Sequence, residues 1–389
     1  MLFLRSIVQA FLCSVTLVSA TALPPAYHGP IQRRGNYTNS TGIISPKVFI
    51  FNAFSPEQAA FYGIPDFNLL AHNITVPGFS PKFPQAHCTA NGEVCQLATG
   101  ESEINAASTI SALVYSNLFD LKKTYFLIAG IAGVNPNVAT TGSVMLARFE
   151  VQVALQYEFD IRDIGDNFTT GYIPYGTKVP APGMYPQDFY GTEVFEVNAA
   201  LRDIAVSLAS KATLNDTTAA QDYRANYLMA AAKSGPSVVA CDGATSDVYY
   251  SGNILSEAFG NYTTLLTNGT GNYCSTAQED SAMLEALMRA DVAGKVDFGR
   301  TIVMRTAADF DRPPPAFSAY QHFFFENSGG FGPSIANLYL AGIEIINGIR
   351  AEWTSTFEAG IKPTNYIGDI FGTLGGVPDF GPYPYFGEA

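Results

Sequence analysis

Four acidic residues stand where an α/β protein places its chemistry. Glu57 follows the apolar run Val48-Phe49-Ile50-Phe51, in the first turn of a helix that Ser55 and Pro56 would start. Glu279 and Asp280 open a second predicted helix, and Asp309 follows the apolar stretch 300–305, with Asp311 two residues on. Ligands of open α/β sheets bind beyond the carboxyl ends of the strands. These ends, with the glycine turn 130–133 and the segment 247–252, can therefore converge on one multi-carboxylate pocket. Such a pocket suits hydrolysis of a glycosidic bond through a cationic transition state. Each position also has a purely structural use. An acid in a helix first turn favours the dipole, Asp309 can cap a turn, and glycine serves any tight strand-to-helix turn. Other chemistries lack their residues. The sequence has no Gly-x-Ser-x-Gly, no Walker A and no Gly-x-Gly-x-x-Gly. A metal centre is not expected, because the cysteine spacings are wrong for zinc and only His72, His87 and His322 follow position 34.

The elements that must position these acids follow from periodicity. Residues 48–51 and 124–128 read as strands buried on both faces, the second ending in the glycine turn. Residues 144–157 alternate like long sheet strands, and 237–240 and 300–305 add two more. Helical patterns cover 102–118, 192–211, 218–233, 253–259, 277–293 and 335–353, and the tail from 368 reads as irregular. Strands alternating with helices predict an α/β fold, and no linker divides it, so a single domain is expected over 35–389.

Composition narrows the partners. The chain has 389 residues, 47% of them hydrophobic and 14% charged, which is ample for a core. Its net charge is −13, so no nucleic-acid polymer is expected as a partner. Residues 1–22 read as a secretory signal: Arg5, an apolar stretch, then Ser19-Ala20-Thr21-Ala22. Residues 23–34 read as a propeptide ending in Arg33-Arg34. Seven sequons, at Asn36, Asn39, Asn73, Asn167, Asn215, Asn261 and Asn268, fit an N-glycosylated secreted protein, extracellular or in the cell wall. Four cysteines remain after the signal, an even number suited to two disulfides in an oxidising compartment. Cys88–Cys95 would close a short loop, which leaves Cys241–Cys274. No stretch after the signal has 18 consecutive apolar residues, so stable membrane insertion is not expected.

Several separated blocks, in order, resemble the fungal purine nucleoside permease (NUP) family. They are Pro46-Lys47-Val48 with Asn52-Ala53-Phe54, Gly130-Ile131-Ala132-Gly133-Val134-Asn135-Pro136, Gln156-Tyr157-Glu158-Phe159-Asp160, Tyr190-Gly191-Thr192-Glu193-Val194-Phe195-Glu196 and Gln278-Glu279-Asp280-Ser281. The resemblance covers about residues 46–353. It implies the fold of the nucleoside phosphorylase and methylthioadenosine/adenosylhomocysteine nucleosidase superfamily, a mixed central sheet flanked by helices. More distantly, it implies roles. Glu57 would activate water, and Asp309, in Arg305-Thr306-Ala307-Ala308-Asp309, would protonate purine N7. Glu279 would bind the ribose hydroxyls and Tyr249 would pack on the base. Gly130, Ala132, Gln278 and Asp280 would complete the substrate contacts. The phosphate-binding serine and arginine of the phosphorylases fall on Ile131 and Ile128, which cannot supply charge-assisted bonds to phosphate. The resemblance thus implies a purine nucleosidase rather than a phosphorylase, with no cofactor. A non-catalytic nucleoside-binding protein that assists uptake is the other alternative, and the superfamily's habit implies a homodimer.

Overall fold

A computed structural model describes residues 42–380. The expected signal, the propeptide and the sequons Asn36 and Asn39 lie outside them. The central element is the ten-residue strand Tyr125–Val134. It pairs in parallel with Val48–Asn52 on one side and with Thr301–Phe310 on the other, and its end pairs antiparallel with Tyr273–Ala277. Pairs of both senses make the sheet mixed, as the sequence predicts for the fold class. Val48–Asn52 is buried along its whole length, in keeping with its unbroken apolar run. Helices Glu103–Tyr115 and Asp280–Val292 pack on one face, and Ala199–Ala209 and Phe331–Ala351 on the other. The described residues lie within one compact unit.

Several expectations need correction. The glycine segment is not a turn: Gly130 and Gly133 lie inside the Tyr125–Val134 strand. Residues 192–211 are not one helix. Val194–Glu196 is a strand held between Phe149–Gln152 and Gly368–Asp369, and the helix begins only at Ala199, capped by Asn198. The 218–233 pattern splits into Thr218–Arg224 and Ala230–Lys233. The first helix is Ser55–Ala59, with Phe54 rather than Ser55 at its N-cap. Strands Asp242–Thr245 and Tyr273–Ala277 were not foreseen, because Asp-Gly-Ala-Thr and Tyr-Cys-Ser-Thr-Ala lack an apolar period.

Both expected disulfides are present, Cys88–Cys95 and Cys241–Cys274. Asn73, Asn167, Asn215 and Asn268 are exposed, whereas Asn261 is half-buried within the Asn253–Leu266 helix. Among the described residues no helix is long and apolar enough to cross a membrane.

Candidate active site

The carboxyl ends of the central strands open into a cavity of about 390 Å³. Glu57, Glu279, Asp309, Tyr249, Gln278 and Ala132 all line it. Sequence positions as far apart as 57 and 309 therefore line the same cavity.

Glu57 projects from the short helix after Val48–Asn52, where Pro56 supplies a rigid first turn. Its carboxylate turns inward rather than lying on an exposed first turn. Oε2 accepts from the Ala53 N–H and Oε1 from the Ile131 N–H, each at 2.7 Å. Burial raises its pKa to about 7, against the opposing pull of Arg305 and these two bonds. Glu57 is thus poised to take a proton near neutral pH.

Glu279 stands at the N-cap position of the Asp280–Val292 helix, with its side chain turned away from the helix end. Its Oε1 accepts from the Ser102 N–H at 3.1 Å and its Oε2 from Arg305 Nη2 at 3.3 Å. Burial pushes its carboxyl up, and Arg305 draws it down. Ser102 reaches this bond with φ at 83°, a backbone region that only glycine occupies without strain.

Asp309 lies near the end of Thr301–Phe310. The pairing with Tyr125–Val134 sets Arg305 against Gly130 and Ala307 against Ala132, then shifts so that Asp309 meets Gly133. Such a bulge re-aims the residues that follow it. Asp309 is half-buried, and its Oδ2 accepts from the Tyr249 hydroxyl at 3.1 Å. Burial raises it to about 6, and the Tyr249 bond opposes the rise. Tyr249, expected only to pack on a base, here also donates its hydroxyl to Asp309. Asp311, the other candidate at this strand end, is already engaged. Arg312 binds it at 2.8 and 3.0 Å, and Tyr273 donates to it at 2.7 Å.

Gly130 and Asp280 are not among the lining residues. Asp280 is fully buried and binds Arg305 through Nε at 2.9 Å and through Nη2. Gly130 lies behind Arg305 and Glu57. Its value is space rather than torsional freedom, because a Cβ there would press into the Arg305 guanidinium and sit 2.7 Å from Glu57 Oε1. Gly133 likewise leaves room for Asp309 Oδ1, 3.1 Å from where its Cβ would stand. Gly130→Ala is accordingly expected to fold but to lose roughly 10²-fold in kcat, the usual scale of a misplaced catalytic group. Steady-state kinetics beside a melting curve check this. Unchanged turnover would show that the crowding is relieved without moving Glu57.

Arg305 is the one basic residue among those lining the cavity. Burial alone would lower its pKa, but Asp280, Glu279 and Glu57 around it hold it above its ordinary value. Its Nη1 donates to the Ile131 carbonyl at 3.1 Å. The guanidinium is committed to the protein's own acids. Sequence reasoning noticed Arg305 only as part of a motif, and it missed Glu101, Thr276, Ser328 and Phe331, which also line the cavity. Of these only Glu101 carries a chemical signal, and nothing in the sequence pairs it with a strand end.

Comparison with known proteins places the chain. The purine nucleoside permease (NUP) family matches residues 45–362. The chain belongs to this family. It is 50% identical over 352 residues to the purine nucleoside permease of Candida albicans strain SC5314, covering 89% of this chain and 86% of that protein. It is 39% identical to a probable purine nucleoside permease of Schizosaccharomyces pombe, covering 91% and 99%. Among solved structures, it is similar to the 5′-methylthioadenosine/S-adenosylhomocysteine nucleosidase from Neisseria meningitidis. That likeness has a TM-score of 0.47 at 13% identity, over 79% of this chain and 100% of the other. A likeness of that degree bears on neither reaction nor substrate.

Proposed function

We propose that this family member is a secreted, N-glycosylated purine nucleosidase: nucleoside and water give free purine and ribose. The observation that carries the reading is the set Glu57, Glu279 and Asp309 lining one cavity, with Glu57 raised to about 7 and Asp309 to about 6. Two carboxyl groups that exchange protons near neutrality are what N-glycoside hydrolysis needs. The purine nucleoside comes from the names of the relatives.

In this mechanism Asp309 gives its proton to N7 as the C1′–N9 bond breaks and its electrons move into the base. Glu279 faces the ribose hydroxyls, and its negative charge stabilises the ribosyl cation. A water attacks C1′ and passes a proton to Glu57. The cycle leaves Asp309 one proton short and Glu57 one proton rich, and solvent exchange restores both. Tyr249 lies beside Asp309, where the base would sit, and its hydroxyl steadies the carboxylate that the acid becomes.

Phosphorolysis fits the cavity less well. A phosphate dianion would meet Glu57, Glu101, Glu279 and Asp309, and the single lining cation is already paired with acids. Ile128 is fully buried in the core, and Ile131 spends its N–H on Glu57. The permease names of the relatives favour a second reading, stoichiometric nucleoside binding without turnover. Incubating purified protein with inosine, adenosine and guanosine, with and without phosphate, separates the three. Free base and ribose, released equally with and without phosphate, are expected. Ribose 1-phosphate that forms only with phosphate would overturn hydrolysis, and bound but intact nucleoside would support the binding reading.

A further inference from the structure

The backbone on either side of Asp309 is held group by group. The Ala308 carbonyl accepts from Ser328 Oγ at 3.2 Å and the Arg312 carbonyl from the Tyr227 hydroxyl at 2.7 Å. The Asp311 carbonyl accepts from the Gly252 N–H and from Ser256 Oγ, both at 3.0 Å. The Phe310 carbonyl, next to the acid itself, pairs with His322 Nε2 at 3.0 Å.

That last bond fixes the imidazole. A carbonyl only accepts, so Nε2 carries the hydrogen. In the neutral ring Nδ1 then accepts, and the Tyr223 hydroxyl lies against it. The Tyr223 and His322 rings are near parallel, 21° apart. Both side chains are buried, so neither bond is traded for water. Phe323, the residue after His322, packs edge-on against Tyr249 at 4.9 Å, and Tyr249 donates to Asp309. The short helix Ala319–Phe324 thus reaches the acid by two routes, through the Phe310 carbonyl and through Tyr249.

We propose that His322, set in one tautomer by the Phe310 carbonyl and braced by Tyr223, is a positioning residue that aims the proton donor Asp309. The role rests on the nucleosidase reading above. It predicts a loss confined to substrates whose leaving group must be protonated. A purine needs a proton at N7 to depart, whereas 4-nitrophenolate leaves readily as an anion.

The experiment compares inosine with 4-nitrophenyl β-D-ribofuranoside. His322→Phe keeps an aromatic ring but removes both polar bonds. It is expected to lower kcat on inosine by roughly 10²-fold, the scale of a misplaced catalytic group. KM should move by less than about threefold, because binding is largely untouched. The rate on the nitrophenyl riboside should stay within about twofold of wild type, because no proton is required. His322→Gln, whose amide can still donate to the Phe310 carbonyl, should recover most of the inosine rate. Tyr223→Phe should show the same selectivity with a smaller loss, and it decides the matter should His322→Phe not fold. An equal loss on both substrates, or no loss on either, overturns the proposal. Wild-type protein that releases no base from inosine would instead overturn the nucleosidase reading itself.

Discussion

Asp309→Asn is expected to lower kcat on inosine by roughly 10²–10⁴-fold, the ordinary contribution of a general acid, with a smaller change in KM. The amide keeps the shape of the side chain and can still bond the base, but it has no proton to transfer. The pH profile makes the assignment sharper. In the proposed mechanism, wild-type kcat/KM requires Glu57 ionised and Asp309 protonated. With Glu57 at about 7 and Asp309 at about 6, the profile is a narrow bell with its maximum between them. A bell alone does not say which limb belongs to which group. The two variants do. The residual activity of Asp309→Asn should lose the alkaline fall and rise with pH through about 7, the value of Glu57. That of Glu57→Gln should lose the acid limb and fall as pH rises through about 6, the value of Asp309. Turnover of Asp309→Asn above about a tenth of wild type would be less than any usual acid contribution and would remove Asp309 as the donor. Asp311 would not then be a ready substitute, because Arg312 and Tyr273 already hold its carboxylate.

How much of this site the sequence reveals depends on how local the signal is. Val48-Phe49-Ile50-Phe51 followed by Ser-Pro-Glu is a strand, a helix start and an acid within ten residues, and the structure realises it with only the cap moved by one position. Glu279 and Asp309 are legible for the same reason, because each stands at the boundary of an element whose pattern is strong. The unlike fates of Glu279 and Asp280 are not legible. Adjacent in sequence and both bound to Arg305, they part because only Glu279 reaches the cavity while Asp280 stays buried behind it. The glycine segment misleads for a related reason. Glycines usually announce a turn, but here they are spaces for the side chains of another strand and of Glu57, which no local pattern encodes. Residues 192–211 misread because Val194–Glu196 becomes a strand only through partners distant in the chain, at 149–151 and 368–369. The Asp309 bulge is invisible for the same cause, since a register shift exists only between two strands.

Arg305→Met is expected to be the most destabilising single change in the site. The guanidinium is buried among carboxyl groups: Asp280, bound through Nε and Nη2, Glu279 at 3.3 Å, and Glu57 beyond the bare face of Gly130. Removing one partner of a buried ion pair typically costs about 3–5 kcal/mol, because the remaining charge is left without compensation. The sign of its pH dependence identifies the cause. Without the cation, the buried acids can persist in the folded chain only when protonated, so the folded state binds more protons than the unfolded one. Stability must then fall as pH rises past the ordinary carboxylate range. Denaturant unfolding should find Arg305→Met close to wild type near pH 5 and several kcal/mol weaker, by about the buried-pair cost, near pH 8. Glu150 sets the precedent within the same fold. It is buried beside Asp280 and Arg305, finds no hydrogen-bond partner for either carboxylate oxygen among the described residues, and is pushed well above its ordinary value by burial. The fold therefore already holds a buried carboxyl group without a hydrogen-bond partner at this place, and protonation at low pH would remove the charge of the acids left by Arg305→Met. A variant equally stable at both pH values would show that Arg305 is not their counter-ion, and that burial alone keeps Glu57 and Glu279 in their working range.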